Sequence, residues 1–403
     1  MYNYAKLKFR FFYMTMHELE KEYFLNTYNR LSIEISHGEG MYLIDKSGNR
    51  FLDLLGGVAV NALGYSNERL ISAIADQASK YIHVSNYFVQ QPQLELAKIL
   101  CEFTNYSKIF FCNSGTEASE GALKIARKWG QQKNKCEIIS MENSFHGRTM
   151  GSLSMMSNLD YKEGFGPYLE NCKQIPFNDI NKLKGSTNES TAAVFFECIQ
   201  GEGGIFEVSE EFVSTLSELK KRFGFLVMID EVQSGMGRTG KFFSYEHYGL
   251  NPDLITLAKP LGGGLPLGAI LIKDNLTDVL KPGMHGTTFG GNPIACAAGK
   301  IVFDEIVNNG LMHNAEKVGH YFKEKLKSLV DELPDKIKEV RGKGLMLGLE
   351  LKFAGKEIVN KMLENQIIIN CTHNTVLRFV PPLIMKKEHV DQTINTLREI
   401  IIP

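Results

Sequence analysis

Five short stretches of the 403-residue chain carry side chains able to do chemistry, and each follows an apolar run of strand length. Asn113-Ser114-Gly115-Thr116 leads into a helical pattern, where free backbone N–H groups and a hydroxyl at the positive end of a helix suit a dianionic phosphate. ENSFHGR (142–148) supplies an aromatic ring, Phe145, and an arginine, Arg148. Glu197 stands just before the glycine-rich QGEGG. Asp230-Glu231-Val232-Gln233 puts a carboxylate at the mouth of a buried run, poised to hold a protonated ring nitrogen by a charge-assisted bond. Lys259 follows LITLA and precedes the flexible PLGGGLP, where partial desolvation would lower its pKa and free the amine to form an imine. Singly, each has a plain structural reading as a cap, a core ring, a turn residue or a solvated lysine. Together, a phosphate cradle, a stacking ring, an Asp for a pyridinium and a Lys for an aldehyde are what pyridoxal phosphate requires.

The elements that must position these groups are legible as KIFFC (108–112), EIISM (137–141), AAVFFECI (192–199), FLVMID (225–230), LITLA (254–258) and GAILI (268–272). Most are continuous apolar runs, as strands buried on both faces are. Helical patterns lie between several of them. In EASEGALKIARKW, Ala118, Ala122, Ile125, Ala126 and Trp129 share a face, and SEEFVSTLSELKKRFG begins with Ser209 as N-cap and stops at Gly224. The alternation predicts a mainly parallel sheet covered on both faces, with ligands beyond the carboxyl ends of its strands. After about residue 292 the texture changes to long amphipathic helices and short strands near GLMLGLEL and VLRFV, while MYLIDKSGNRFLDL near the start is also strand-like. The expected division is a large domain over 61–292 and a smaller one built from both ends, 1–60 and 293–403.

Composition narrows the partners. Lys+Arg 45 against Asp+Glu 46 leaves a net charge of −1, so no bulk field attracts nucleic acid or an acidic membrane, and the expected ligand is small. Seven scattered cysteines without a C-x-x-C pair read as reduced thiols of a cytoplasmic protein, with neither a disulfide frame nor a metal site. No stretch approaches 18 uninterrupted apolar residues, so no membrane span is expected. The opening MYNYAKLKFRFFYM is too short for a secretory core, and Met14 and Met16 leave room for residues 1–15 to be an upstream extension. GMGRTG (235–240) matches G-x-G-x-x-G, but it is separated from the strand end at Asp230 and runs into the aromatic KFFSYEHYGL, so a dinucleotide site is rejected.

NSGTEASEGALKIAR, NSFHGRT, QGEGG, DEVQSGMGRTG, AKPLGGGLPLGA and HGTTFGGNPIAC, in that order, resemble the class III pyridoxal-phosphate aminotransferases. The likeness runs from about Leu31 to RFVPPL (378–383), and LLGGVAVNALGY favours the branch that acts on acetylornithine. The resemblance implies the α/β fold-type I architecture, with a mainly parallel seven-stranded sheet and a smaller α+β domain. It also implies a homodimer with shared active sites. Position by position, Lys259 matches the Schiff-base lysine that also shuttles a proton, and Asp230 the partner of the pyridine nitrogen. Gln233 matches the ring-hydroxyl contact, with Glu231 and Val232 in the same cofactor segment, and Phe145 the stacking ring. Gly115 and Thr116 match the phosphate loop. Thr288 matches a phosphate ligand given to the neighbouring subunit, with Thr287 near the substrate. Arg148 matches the arginine for the carboxylate remote from the reacting amine, Arg378 the arginine for the α-carboxylate of glutamate, and Glu197 its switchable partner.

Two arginines suit a five-carbon dicarboxylate held at both ends, and a carboxylate can neutralise whichever arginine the other substrate leaves idle. The implied reaction moves the distal amino group of an N2-acylated ornithine to 2-oxoglutarate, as in arginine biosynthesis. Ornithine, succinylornithine or 4-aminobutyrate are the alternative donors. An aminomutase would need no 2-oxoglutarate, which the Arg378 and Glu197 matches argue against. Two departures from the family pattern stand out: Cys198 replaces the usual Pro after Glu197, and NALGYSNERL lacks the usual His-x-x-Pro.

Overall fold

The computed structural model describes residues 15–402. The expectation that residues 1–15 form an extension therefore lies outside the described residues, apart from Thr15, which caps the helix Met16–Tyr23 reciprocally with Glu18.

Seven strands build the central sheet: β1 (Lys108–Cys112), β2 (Glu137–Met141), β3 (Cys172–Ile175), β4 (Thr191–Phe196), β5 (Leu226–Asp230), β6 (Leu254–Leu257) and β7 (Gly268–Ile272). Their order is β1-β7-β6-β5-β4-β2-β3. Only β7 runs antiparallel to its neighbours; the remaining pairs are parallel. β4, β5 and β6 are buried along their whole length, which is why their sequences are unbroken apolar runs. β3 has no counterpart among the six expected runs. It is a four-residue edge strand, CKQI, in which Lys173 is exposed and Gln174, half-buried, donates to the Ser154 carbonyl.

One expected run is divided. AAVFFECI leaves the sheet after Phe196, and Ile199–Gln200 pairs instead with Phe206–Glu207 in a separate hairpin. Glu197 is thereby released at the sheet edge, and QGEGG becomes the hairpin's turn.

Two helices show how local sequence sets the frame. Ser114 ends β1's connection and caps α1 (Gly115–Gln131), accepting from the Glu117 N–H at 3.3 Å, while Ala118, Ala122, Ile125 and Ala126 pack inward. Ser209 caps α2 (Glu210–Phe223), which stops at Gly224 with φ 62°, a conformation that costs glycine least. Where His-x-x-Pro is missing, Asn67 performs the start: its side chain accepts from the Leu70 N–H at 3.0 Å and opens the helix Glu68–Lys80.

Both chain ends contribute to the remaining sheets. The strands Ile35–Glu39, Tyr42–Asp45 and Arg50–Asp53 are completed by Ile367–Ile368, which pairs parallel with Leu52 and Asp53. A second, antiparallel sheet joins Ile337–Lys343, Met346–Leu351, Val376–Phe379 and Asn370–Thr372. The GMGRTG segment begins no helix. It is a folded loop whose Arg238 is buried and donates to the Leu345 and Pro381 carbonyls, tying the central unit to the C-terminal one. Among the described residues no helix is long and apolar enough to cross a membrane, and no cluster of three or more His, Cys, Asp or Glu is arranged to hold a metal ion.

Candidate active site

A cavity of about 460 Å³ opens where β1, β2, β4, β5 and β6 end. Ser114, Gly115 and Thr116 form one wall at the N-terminus of α1. Glycine is required at 115, because a Cβ there would lie 2.8 Å from Val232 Cγ1. Gly147, at φ 125°, brings the strand-β2 loop so close that a Cβ would meet Thr116 Oγ1 at 2.1 Å. The Thr116 hydroxyl is fixed by Thr149 Oγ1 at 2.8 Å and Ser152 Oγ at 3.0 Å. Backbone donors, a pinned hydroxyl and a helix N-terminus make this wall an anion cradle.

The Phe145 ring and Val232 also line the cavity, and Asp230 lies deep in it. The Asp230 carboxylate is oriented twice. Oδ1 accepts from the Val232 N–H at 3.0 Å, and Oδ2 lies 2.7 Å from Nδ1 of the buried His146. The His146 ring stacks on Phe195 with centroids 4.3 Å apart, while its Nε2 has no partner among the described residues. Glu197 fixes the adjacent backbone, accepting from the Phe145 and Gly201 N–H groups, each at 2.9 Å. Burial pushes the Glu197 carboxyl up to about 7, with His146 opposing and Asp230 adding to the rise.

Lys259 enters from the end of β6 through a backbone held at φ 41°. A non-glycine residue in the left-handed region stores strain, a feature that concentrates at functional sites. Burial lowers its ammonium to about 8, opposed by Glu202 and aided by Arg378. Roughly a fifth of the amine is therefore neutral near pH 7.4, far more than for an unburied lysine.

The two arginines are placed differently. Arg378, on the strand Val376–Phe379, is buried one layer behind the lining. It donates to Glu202 Oε1 at 2.5 Å, the Gly201 carbonyl at 3.1 Å and Asn370 Oδ1 at 3.2 Å, with Gln233 Oε1 at 3.4 Å. Its carboxylate partner is thus Glu202 and not Glu197, as the sequence pattern suggested. The hairpin turn explains the difference: leaving the sheet after Phe196 commits Glu197 to backbone N–H groups, and Glu202, at the turn, faces the arginine. Burial alone would raise the Glu202 carboxyl, but Arg378 holds it below the usual range. Arg148 is exposed at the rim, with its guanidinium carbon 3.9 Å from the Tyr161 ring centroid and 5.5 Å from that of Phe145. It makes no ion pair or hydrogen bond with any described residue.

The structure thus brings Gly115, Thr116, Phe145, Arg148, Glu197, Asp230, Val232, Gln233 and Lys259 to one cavity. It does not bring Glu231, expected among the cofactor residues. That carboxylate is engaged by the Ser244 hydroxyl and N–H, the Tyr245 N–H and the Ser234 hydroxyl, so it organises the loop after β5. Thr287 reaches the lining only through Asn113 Nδ2, 3.0 Å from its hydroxyl, and Thr288 is exposed away from this cavity. Sequence reasoning passed over Glu202, His146 and Asn113. Each lay inside a motif already singled out, and their neighbours drew the attention.

These residues fit pyridoxal phosphate: an anion cradle that only glycine permits, a ring wall on either side, a twice-oriented carboxylate and an amine of lowered pKa. A family model described as aminotransferase class-III matches residues 23–401. An acetylornithine aminotransferase of Aquifex aeolicus is 47% identical over 94% of this chain and 100% of its own. A solved ornithine aminotransferase of Toxoplasma gondii, described with partial occupancy of pyridoxal phosphate at its active site, superposes with a TM-score of 0.92 at 30% identity, covering 99% of this chain and 97% of that one. The crystal structure of an acetylornithine aminotransferase from Elizabethkingia anophelis gives 0.86 at 33% identity, covering 96% and 98%.

Proposed function

This chain belongs to the class-III aminotransferases, pyridoxal-phosphate enzymes, and on that premise we propose that it moves the distal amino group of N2-acetylornithine, or another N2-acylornithine, to 2-oxoglutarate. The products are the semialdehyde and glutamate, and the reaction is a step of arginine biosynthesis. The observation that carries this reading is the pair of unlike arginines at one cavity: Arg148 unpaired at the rim, and Arg378 neutralised by Glu202 behind the lining.

When bound, pyridoxal phosphate supplies an electron sink that lets a C–H bond beside an amine ionise. The chain's own groups do the rest. Ser114, Gly115 and Thr116 would hold the phosphate, and Phe145 and Val232 would pack against the ring. Asp230, held by His146 and the Val232 N–H, would keep a proton on the ring nitrogen. Gln233, in the same lining, would meet the ring hydroxyl. Lys259 Nζ would hold the cofactor at rest and, when free, would serve as the base that takes the proton from the carbon bearing the distal amine and as the acid that redelivers it. Its lowered pKa leaves enough free amine to act as that base.

Arg148 takes the carboxylate of the acylornithine. During that half of the cycle Glu202 occupies Arg378, so no buried cation is left unpaired. When glutamate or 2-oxoglutarate enters, Glu202 yields and Arg378 binds the α-carboxylate, with Arg148 on the distal one. The exposed Thr288 serves the cavity of a second copy in a homodimer, and Thr287 lies toward the substrate. The large unit over 61–292 would carry the cofactor, with 1–60 and 293–403 as the two parts of the smaller domain, and the enzyme would work in the cytoplasm.

The experiment is a panel of amino donors (acetylornithine, succinylornithine, ornithine, 4-aminobutyrate) with 2-oxoglutarate as acceptor. The expected result is the highest kcat/KM with an N2-acylornithine. A preference for free ornithine would instead place the chain with the ornithine aminotransferases whose fold it shares.

A further inference from the structure

Among the described residues neither a carboxylate nor a carbonyl holds Arg148, so something else must set its direction. Three observations single out Tyr161. The Arg148 guanidinium carbon lies over the Tyr161 ring at 3.9 Å from its centroid, the shorter of its two aromatic contacts. The same ring meets Phe145 edge-on, with centroids 5.9 Å apart and planes at 88°. Tyr161 closes a short turn, Leu159–Tyr161, that Asn158 caps by accepting from the Asp160 N–H at 2.9 Å, while the Tyr161 N–H reaches the Asn158 carbonyl at 3.3 Å. Its backbone is therefore fixed and its ring half-buried. Tyr161 is not part of the cavity lining, and its hydroxyl has no hydrogen-bond partner among the described residues.

We propose that Tyr161 is the positioning residue for Arg148. Its π face binds the cation without using any N–H group, which leaves all five donors for a ligand carboxylate. A carboxylate in Tyr161's place would bind the cation more tightly but would occupy those donors, as Glu202 does at Arg378. The aromatic support orders the guanidinium before the substrate arrives, and so reduces the side-chain entropy lost on binding. The inference rests on the reading of Arg148 as the carboxylate-binding arginine.

The test uses the cofactor-loaded enzyme and the binding of N-acetyl-L-norvaline, an acylated amino acid with no distal amine to react, measured by calorimetry alongside KM and kcat for acetylornithine. Tyr161→Leu, which keeps bulk and removes the π face, is expected to weaken N-acetylnorvaline and raise the KM roughly 3- to 10-fold, with kcat and cofactor absorbance unchanged. Tyr161→Phe should restore both constants to within about twofold, since the hydroxyl is unused. In Arg148→Ala the further change Tyr161→Leu should add nothing. If Arg148→Ala weakens the probe while Tyr161→Leu does not, or if the two losses add in the double variant, the positioning role is overturned. If Arg148→Ala itself leaves the probe's affinity unchanged, the carboxylate assignment of Arg148 falls, and this proposal with it.

Discussion

Arg378 and Arg148 serve one cavity under opposite physical regimes. Arg378 is buried, and its donors are taken by a carboxylate, a backbone carbonyl and two amide oxygens. Arg148 is exposed, rests against two aromatic rings and keeps its donors free. Burial makes the first arginine expensive to leave alone, so it carries a resident counter-charge that a ligand must displace. Exposure makes the second cheap to leave alone, and stacking gives it direction at no cost in donors. An arginine meant to be always available and one meant to be available only to a dicarboxylate therefore need different surroundings.

Lys259, in the same cavity, sets the baseline for measuring both arginines. Lys259→Ala should retain the cofactor non-covalently and lose at least about 10³-fold in turnover, read in single-turnover absorbance. Substantial turnover by that variant would remove the chemistry that the two arginines are meant to serve. Next in size is the buried arginine. Arg378→Ala strands Glu202 and should cost on the order of 3 kcal/mol in urea unfolding, with Glu202→Gln in the same chain recovering part of it. The unchanged stability of Arg378→Ala would mean that the pair is not the buried, coupled unit described here.

Arg148→Ala should show the opposite pattern, with stability within about 0.5 kcal/mol of the parent. Its KM for acetylornithine should rise by roughly 10- to 100-fold, as expected for a lost charge-assisted pair of about 1.5–3 kcal/mol. Equal effects on cofactor affinity and donor KM would erase the contrast between the arginines.

A further effect concerns pH. Lys259 is lowered from 10.5 to about 8, and Glu202 and Arg378 are the charges that act on it most. Between those values the unfolded chain holds a proton that the folded chain has released, so this group makes stability rise with pH across the window and withdraws that gain as pH falls toward 8. In the cofactor-free protein the contribution is about 1.4 kcal/mol per pH unit. Lys259→Met should flatten the difference between unfolding at pH 8 and pH 10, and an identical slope in both proteins would show that the amine is not desolvated.

Much of this arrangement was legible in the chain itself. Six apolar runs located six of the seven strands, because strands covered on both faces have no polar positions to interrupt them. The seventh, β3, sits at an edge with only half its surface covered, so CKQI carries no comparable signal. The site positions followed from the strand ends. What sequence order could not show is which of two carboxylates five residues apart meets an arginine some 180 positions later. That depended on AAVFFECI breaking after Phe196 to form a hairpin, a backbone event invisible in an unbroken hydrophobic run. Tyr161 was hidden for a related reason. It acts from outside the lining, in a turn with no motif, and only the folded chain brings its ring under Arg148.

The parallel pairing of Ile367–Ile368 with Leu52 and Asp53 has a consequence for how the molecule is made. A strand finished early in translation waits for a partner more than three hundred residues downstream, and until the ribosome delivers it, one edge of the first sheet stays open. Unpaired edges of that kind are where nascent chains stick to one another. The newly made protein should accordingly depend on chaperone shelter late in synthesis, and a deletion that stops short of residue 367 should aggregate even though the cofactor-bearing sheet has been completed.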